Sequence, residues 1–120
     1  MPTPRDVAEA FPGHRFPDTY GALHPEVRWT QVGQEVLTGR RAVIDACEAT
    51  LAELGTTTVE FSRFLVVVDG DAAAVDVVGR YVGADGATSA VSSCDVYEFR
   101  DGLVTAITSY AVELDPPAVD

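Results

Sequence analysis

The sequence predicts an α+β domain in which helices come first and an antiparallel meander follows. Three observations carry that reading. One long amphipathic stretch, Arg40 to Leu54, lies in the first half of the chain. Four β-rich runs follow it, joined at three Asp-Gly pairs, and Asp-Gly between such runs is a strong hairpin signal. The chain has 120 residues, 47% hydrophobic and 22% charged, which is the size and balance of one globular domain.

Each element has its own justification. Pro4 can open a first helix, with Asp6 in its first turn and Val7, Ala8 and Phe11 following, until Pro12-Gly13 stops it. A second short helix is predicted from Pro17 to Leu23. His24-Pro25 then turns the chain extended, and Val27 to Thr30 reads as a first strand. Thr38 or Gly39 can cap the long helix. Its Val43, Ile44, Cys47, Leu51 and Leu54 recur at three- and four-residue steps and make one apolar stripe, and Gly55 ends it. The strands then run Thr57 to Val68, Ala72 to Val82, Thr88 to Arg100 and Leu103 to Leu114, with turns at Asp69-Gly70, Asp85-Gly86 and Asp101-Gly102. Asp115-Pro116-Pro117 ends the last strand, and residues 115–120 are expected to fray.

Charge and composition exclude several functions. Nineteen acids against eight bases give a net charge of −11, and all eight bases are arginine. The absence of lysine excludes a Schiff-base lysine and a phosphate-loop lysine. The acidic balance argues against nucleic acid and anionic membrane as partners, since both are polyanions. The first residues show no apolar signal core, and the longest strand-like apolar run is Phe64 to Val68. Cys47 and Cys94 form no CxxC pair and read as small core residues of a cytoplasmic protein. His14 and His24 have no second ligand at metal spacing, so neither a metal nor a cofactor is implied.

Hairpin register predicts which charges share a face. If Asp85-Gly86 is a two-residue turn, Asp76 lies opposite Asp95 and Arg80 opposite Val91. The same treatment of Asp69-Gly70 pairs Arg63 with Asp76. One face then carries Arg63, Asp76, Arg80 and Asp95 among Val59, Phe61, Val78, Val91, Tyr97 and Phe99. The other face carries Val75, Val77, Gly79, Tyr81, Cys94 and Val96. A three-residue loop at any of these glycines would shift the parity by one. The common face of Asp95, Tyr97 and Phe99 needs only the alternation of a single strand.

Three stretches carry a family resemblance. They are Leu23-His24-Pro25-Glu26-Val27-Arg28-Trp29, the helix start Gly39-Arg40-Arg41-Ala42-Val43-Ile44, and Asp95 to Val104 followed by Ile107-Thr108-Ser109-Tyr110. In order and spacing they resemble the nuclear transport factor two-like superfamily, in its SnoaL-like and ketosteroid-isomerase-like group. The resemblance spans about residues 5 to 114 and makes residues 1–120 a single SnoaL-like domain. It implies a curved sheet wrapped around the long helix as a cone-shaped α+β barrel with an apolar pocket. It also implies a homodimer. The row Val75, Val77, Tyr81 and Val96 is expected to supply the apolar dimer face.

Asp95 stands where ketosteroid isomerase, similar over this strand, has its oxyanion-hole aspartic acid. Burial beside Tyr97 and Phe99 would raise its pKa, Asp76 would raise it further, and Arg63 or Arg80 would oppose that. The alternative is an aspartate held ionised by arginine that only orders the sheet. The isomerase's general base has Thr30 at its place here, and its first-helix tyrosine has no counterpart. Limonene-type epoxide hydrolases use an Asp-Arg-Asp set. Val75-Asp76-Val77 resembles one of its strands, but Ser109 stands at the final aspartate.

The expected catalytic residues are therefore Asp95, aided by Asp76 and Arg80. Tyr20, Trp29, Phe61, Arg63, Val78, Val91, Tyr97, Phe99, Ile107 and Ser109 are expected to line the pocket. The expected activity is that of a polyketide cyclase-like isomerase or lyase: cofactor-independent isomerisation, dehydration or aldol-type cyclisation of an apolar, carbonyl-bearing, polyketide-like molecule. The alternatives are a non-catalytic small-molecule binding module of the same fold, an epoxide hydrolase with an incomplete triad, and a protein-interaction role for the outer sheet face.

Overall fold

The computed structural model describes residues 2–114, so the expected fraying of 115–120 lies outside the described residues. Helix α1 spans Pro4–Ala10. Thr3 caps it reciprocally, the Thr3 side chain accepting from the Asp6 amide and the Asp6 carboxylate from the Thr3 amide. A short 3₁₀ segment, Phe16–Ala22, follows. Strand β1 runs Leu23–Gln31, longer than the four residues expected, and a second strand, β2 (Glu35–Thr38), returns antiparallel to it. The sequence reading has no β2, because Glu35 to Thr38 is only four residues long and largely exposed.

Helix α2 spans Arg40–Leu54, the bounds its apolar stripe predicts, with Val43 and Cys47 fully buried. Its N-cap is Gly39, whose φ of 96° suits glycine, and whose N–H donates to the Val27 carbonyl at 2.7 Å. Arg40 next to it donates from Nε and Nη2 to the Leu23 carbonyl, at 3.0 and 2.7 Å. That carbonyl lies where the pairing of β1 shifts register, between Leu23 and Arg28. Arg40 thus satisfies backbone that the sheet leaves open.

Strands β3 (Thr58–Asp69), β4 (Ala72–Val82), β5 (Thr88–Arg100) and β6 (Leu103–Leu114) form the expected antiparallel meander. The six strands make one curved, open sheet in the order β2-β1-β6-β5-β4-β3, with β1 parallel to β6. The core lies on the concave face. It joins Val7, Phe11 and Phe16 to Leu23, Val43 and Cys47, and to Val75, Tyr97, Phe99, Val104 and Ile107 of the strands. No helix among the described residues is long and apolar enough to cross a membrane.

The three hairpins decide which side chains enter the concavity. The β5–β6 turn is the expected two-residue Asp101-Gly102, both residues with positive φ. The β3–β4 turn is Gly70-Asp71, one place later than expected, so Asp69 pairs with Ala72. That slip moves partners by two and keeps the faces. The β4–β5 turn changes them. Gly83 donates to the Ala87 carbonyl at 2.8 Å and closes a three-residue loop, Ala84-Asp85-Gly86, with Gly86 at φ 86°. Asp76 consequently pairs with Cys94 instead of Asp95, and every β4 side chain sits on the face opposite to the one expected.

Candidate small-molecule pocket

The concave face opens into a cavity of about 360 Å³. Its floor is sheet: Val77, Gly79 and Tyr81 from β4, Val91, Ser93 and Asp95 from β5, Ser109 and Ala111 from β6, and Trp29 and Gln31 from β1. Phe11, His14 and Phe16 close it from the N-terminal segments, and Phe61 from β3. The aromatic rings pack edge to face: Phe11 lies 4.9 Å from Phe16, 5.1 Å from Trp29 and 5.8 Å from Tyr97 between centroids.

Among the described residues Asp95 is the one carboxylate lining this cavity. The Tyr97 hydroxyl donates to its Oδ2 at 2.8 Å, and Ser109 pairs with it directly across β5–β6. The Trp29 indole N–H donates to Ser109 Oγ at 2.9 Å. An indole nitrogen only donates, so the Ser109 hydroxyl hydrogen is free to turn to Asp95. Burial raises the Asp95 carboxyl above its ordinary pKa, and the hydrogen bonds of Ser109 and Tyr97 draw it partly back. Neither Asp76 nor either arginine contributes to that shift, contrary to expectation.

The outward turn of β4 is the reason. Asp76 and Arg80 lie on the convex face and do not line the cavity. Arg63 lies there too, and its Nε donates to Asp76 Oδ2 at 2.7 Å, a half-exposed ion pair diagonal across β3–β4. Val78 shares this outer row. Arg63 and Phe61 were expected on one face. A bulge at Ser62 separates them, sending Phe61 to the cavity and Arg63 outward. Tyr20 is also outside the cavity: its hydroxyl donates to Glu48 Oε2 at 2.6 Å. Trp29, Phe61, Val91 and Ser109 line the cavity. Tyr97, Phe99 and Ile107 are buried beneath it in the core.

Val75, Val77 and Tyr81 were expected on an exposed face and instead point inward, while Val96 points outward. The convex face carries Leu65, Val67, Tyr110 and Val112, each between 48% and 62% exposed. Thr30, expected at the base position after the first strand, pairs on the outer row with Thr108. The inward residue is Gln31, again without a carboxylate. The epoxide-hydrolase set is not assembled, since Asp76 is outside and Ser109 is a serine.

Sequence reasoning missed His14. It stands in the left-handed region at φ 64°, rare for a residue with a side chain, in the turn after α1. Its Nε2 lies 3.5 Å from the Tyr81 hydroxyl, and its ring packs against Phe16 and Phe61. Burial lowers its pKa, so the imidazole is neutral at pH 7. Burial raises Tyr81, with the Asp95 charge adding to it, so its hydroxyl stays protonated. The Pro12-Gly13 turn was the available signal, because a turn that reverses α1 over the sheet carries the next side chain into the concavity.

An open six-stranded sheet curved over one long helix around an aromatic cavity defines a nuclear transport factor two-like protein. The SnoaL-like domain family matches residues 5–107, and the chain belongs to that family. An NTF2-like protein of unknown function from Cytophaga hutchinsonii has a similar structure. Its TM-score is 0.77 at 28% identity, over 88% of this chain and 93% of that one. A proposed polyketide cyclase from Xanthomonas campestris pv. campestris shares the fold at 18% identity and TM-score 0.69, over 87% and 83%. An LEH-like epoxide hydrolase of M. tuberculosis shares it at 19% and 0.62, over 88% and 77%. No curated protein gives a significant sequence match.

Proposed function

We propose that this protein is a small cofactor-independent enzyme that moves a proton on an apolar, carbonyl-bearing molecule, with Asp95 as the proton-transferring group. One observation carries the reading: a partly buried carboxyl in the wall of an aromatic cavity, held by neutral donors, with its pKa raised above the ordinary carboxylate value. Isomerisation, dehydration and aldol-type cyclisation all begin with such a transfer and need no cofactor. Two proteins proposed to be polyketide cyclases, from Xanthomonas campestris pv. campestris and Silicibacter sp., share the fold.

The second reading is a binding module of the same fold. It is favoured by the cavity lining, which among the described residues holds no carboxylate besides Asp95. Incubation with a panel of enolisable ketones in D₂O separates the two by α-proton loss in the NMR spectrum. Turnover that falls about 10²-fold in Asp95→Asn supports the enzyme. Saturable binding with no exchange in the wild type supports the module.

The proposed assembly is a homodimer through the convex face, where Leu65, Val67, Tyr110 and Val112 form an exposed apolar surface. The proposed partner is a small apolar molecule, with neither nucleic acid nor membrane, and the proposed setting is the cytoplasm.

A further inference from the structure

The cavity wall carries a carboxylate, and no cation of the chain answers it. Among the described residues no arginine lines the cavity and no ion pair includes Asp95. The chain contains no lysine. His14 lines the cavity but is neutral at pH 7, because burial lowers its pKa. Arg63 and Arg80 lie on the convex face, where Arg63 is paired with Asp76 at 2.7 Å. The groups that hold Asp95 are neutral: the Tyr97 hydroxyl at 2.8 Å, and Ser109. Such donors favour the ionised carboxyl but bring no positive charge, and burial still raises its pKa. A negative charge drawn partly out of water is unfavourable until a counter-charge joins it.

The walls suit a cation as well. Phe11, Phe16, Trp29, Phe61 and Tyr81 line the cavity. Two of these rings reach the carboxylate through one intervening side chain. The Trp29 indole N–H donates to Ser109 Oγ at 2.9 Å, and Ser109 is the cross-strand partner of Asp95. Phe11 lies 5.1 Å from Trp29 and 5.8 Å from Tyr97 between centroids, and the Tyr97 hydroxyl is the one bound to Asp95. An aromatic face attracts a cation within about 6 Å of its centroid, tryptophan most strongly. The net charge of −11 adds a long-range field that draws cations toward the chain. We infer that the cavity is an organic-cation site, taking a tertiary or quaternary ammonium group on a single ring, with the positive nitrogen held between the Asp95 carboxylate and the rings of Trp29 and Phe11. The inference goes beyond the proton-transfer reading and does not rest on it, since Asp95 serves here as counter-charge and no bond is made or broken. The limit of one ring comes from the cavity, whose volume of about 360 Å³ lies at the small end of ligand pockets.

The test titrates the protein by calorimetry with two probes. Benzyltrimethylammonium is a permanent cation, and neopentylbenzene is its neutral isostere. The wild type is expected to bind the cation at least about tenfold more tightly than the isostere, the scale of a close, desolvated charge pair. Asp95→Asn keeps the shape and should remove that preference while leaving the weak binding of the isostere. Trp29→Leu should weaken the cation about fivefold and the isostere less. Each variant is first checked for native circular dichroism. Equal affinities for the two probes overturn the assignment, as does an absence of saturable cation binding or a preference that survives Asp95→Asn. Equal losses for both probes in Trp29→Leu overturn its aromatic half. The charged-against-neutral comparison is made on the wild type, so it holds even where a variant fails to fold. Ketone exchange in D₂O reads the proton-transfer proposal separately: a failure there leaves the cation site standing, and a failure to bind the cation leaves the exchange standing.

Discussion

Tyr97 donates its hydroxyl hydrogen to Asp95 Oδ2 at 2.8 Å, two residues away on the same strand and the same face. Tyr97 is fully buried, so this hydrogen bond satisfies a phenol that would otherwise have no partner in the core. The pair therefore joins the core to the cavity. The same contact that anchors a large aromatic ring also sets the electrostatics of the carboxyl above it.

The first prediction concerns stability against pH. The folded carboxyl of Asp95 has its pKa raised above the ordinary 3.8, chiefly by burial. Between the unfolded value and the folded one, the native state holds more protons than the unfolded state. Stability therefore falls as pH rises through that window. Asp95→Asn removes the titration while keeping the shape. The variant should melt with the wild type below about pH 4 and above it at neutral pH, the gap opening as pH rises, by thermal scans across the range. A gap that closes with rising pH would contradict the assigned shift.

Tyr97→Phe deletes one donor and leaves the burial. Its hydrogen bond lowers the Asp95 pKa, so the variant's carboxyl should titrate higher than in the wild type. The acidic limb of the pH–rate profile for ketone exchange should move to higher pH, and stability should drop by about 1 kcal/mol. Nuclear magnetic resonance of the Asp95 carboxyl carbon measures the shift directly.

Trp29, Ser109 and Asp95 should behave as one unit. Ser109→Ala strips the indole N–H of its acceptor and Asp95 of a donor. The indole N–H is only partly buried, so leaving it unpaired should cost about 1 kcal/mol. Trp29→Phe in the Ser109→Ala background should therefore cost less than Trp29→Phe alone, once denaturant curves are compared in a double-mutant cycle. Additive losses would show that the chain of contacts carries no coupling.

Legibility followed the range of the signal. Helix α2 was readable because its apolar stripe is local, and the meander because Asp-Gly turns are local. The face of Asp95 relative to Tyr97 needed only period two within one strand. The face of Asp76 needed the length of a loop, and one extra residue between Gly83 and Ala87 reversed all of β4. Ser62 did the same to Phe61 against Arg63. His14 was signalled only by the Pro12-Gly13 turn, because its place in the cavity depends on where α1 docks, which is a tertiary matter.

That reversal changes an expected phenotype. With Asp76 on the convex face beside Arg63, Asp76→Asn should leave the pH profile of any ketone exchange unmoved, as should Arg80→Gln. The Arg63–Asp76 pair is roughly half-exposed on both sides, so breaking it should cost no more than about 1 kcal/mol. A profile displaced by Asp76→Asn would place that carboxylate back in contact with the cavity.

The convex face yields the last prediction. Leu65 comes from β3, and Tyr110 and Val112 come from β6; β5 and β4 lie between those strands, so the patch reaches across four of the six strands. Apolar side chains there are 48%, 51% and 62% exposed, far more than a sheet face needs to leave wet. A symmetric dimer would bury this patch against its own copy, so each substitution acts twice per interface. Val112→Glu puts two charges into that contact, and the chain's existing net charge of −11 adds repulsion. Sedimentation at tens of micromolar should show the wild type at twice the mass of 12.7 kDa and Val112→Glu at the single mass. Val77→Glu, which points into the cavity, serves as the contrast: it should damage folding or ligand binding without acting through the dimer. A wild type that sediments as a monomer leaves the patch without a second copy to cover it.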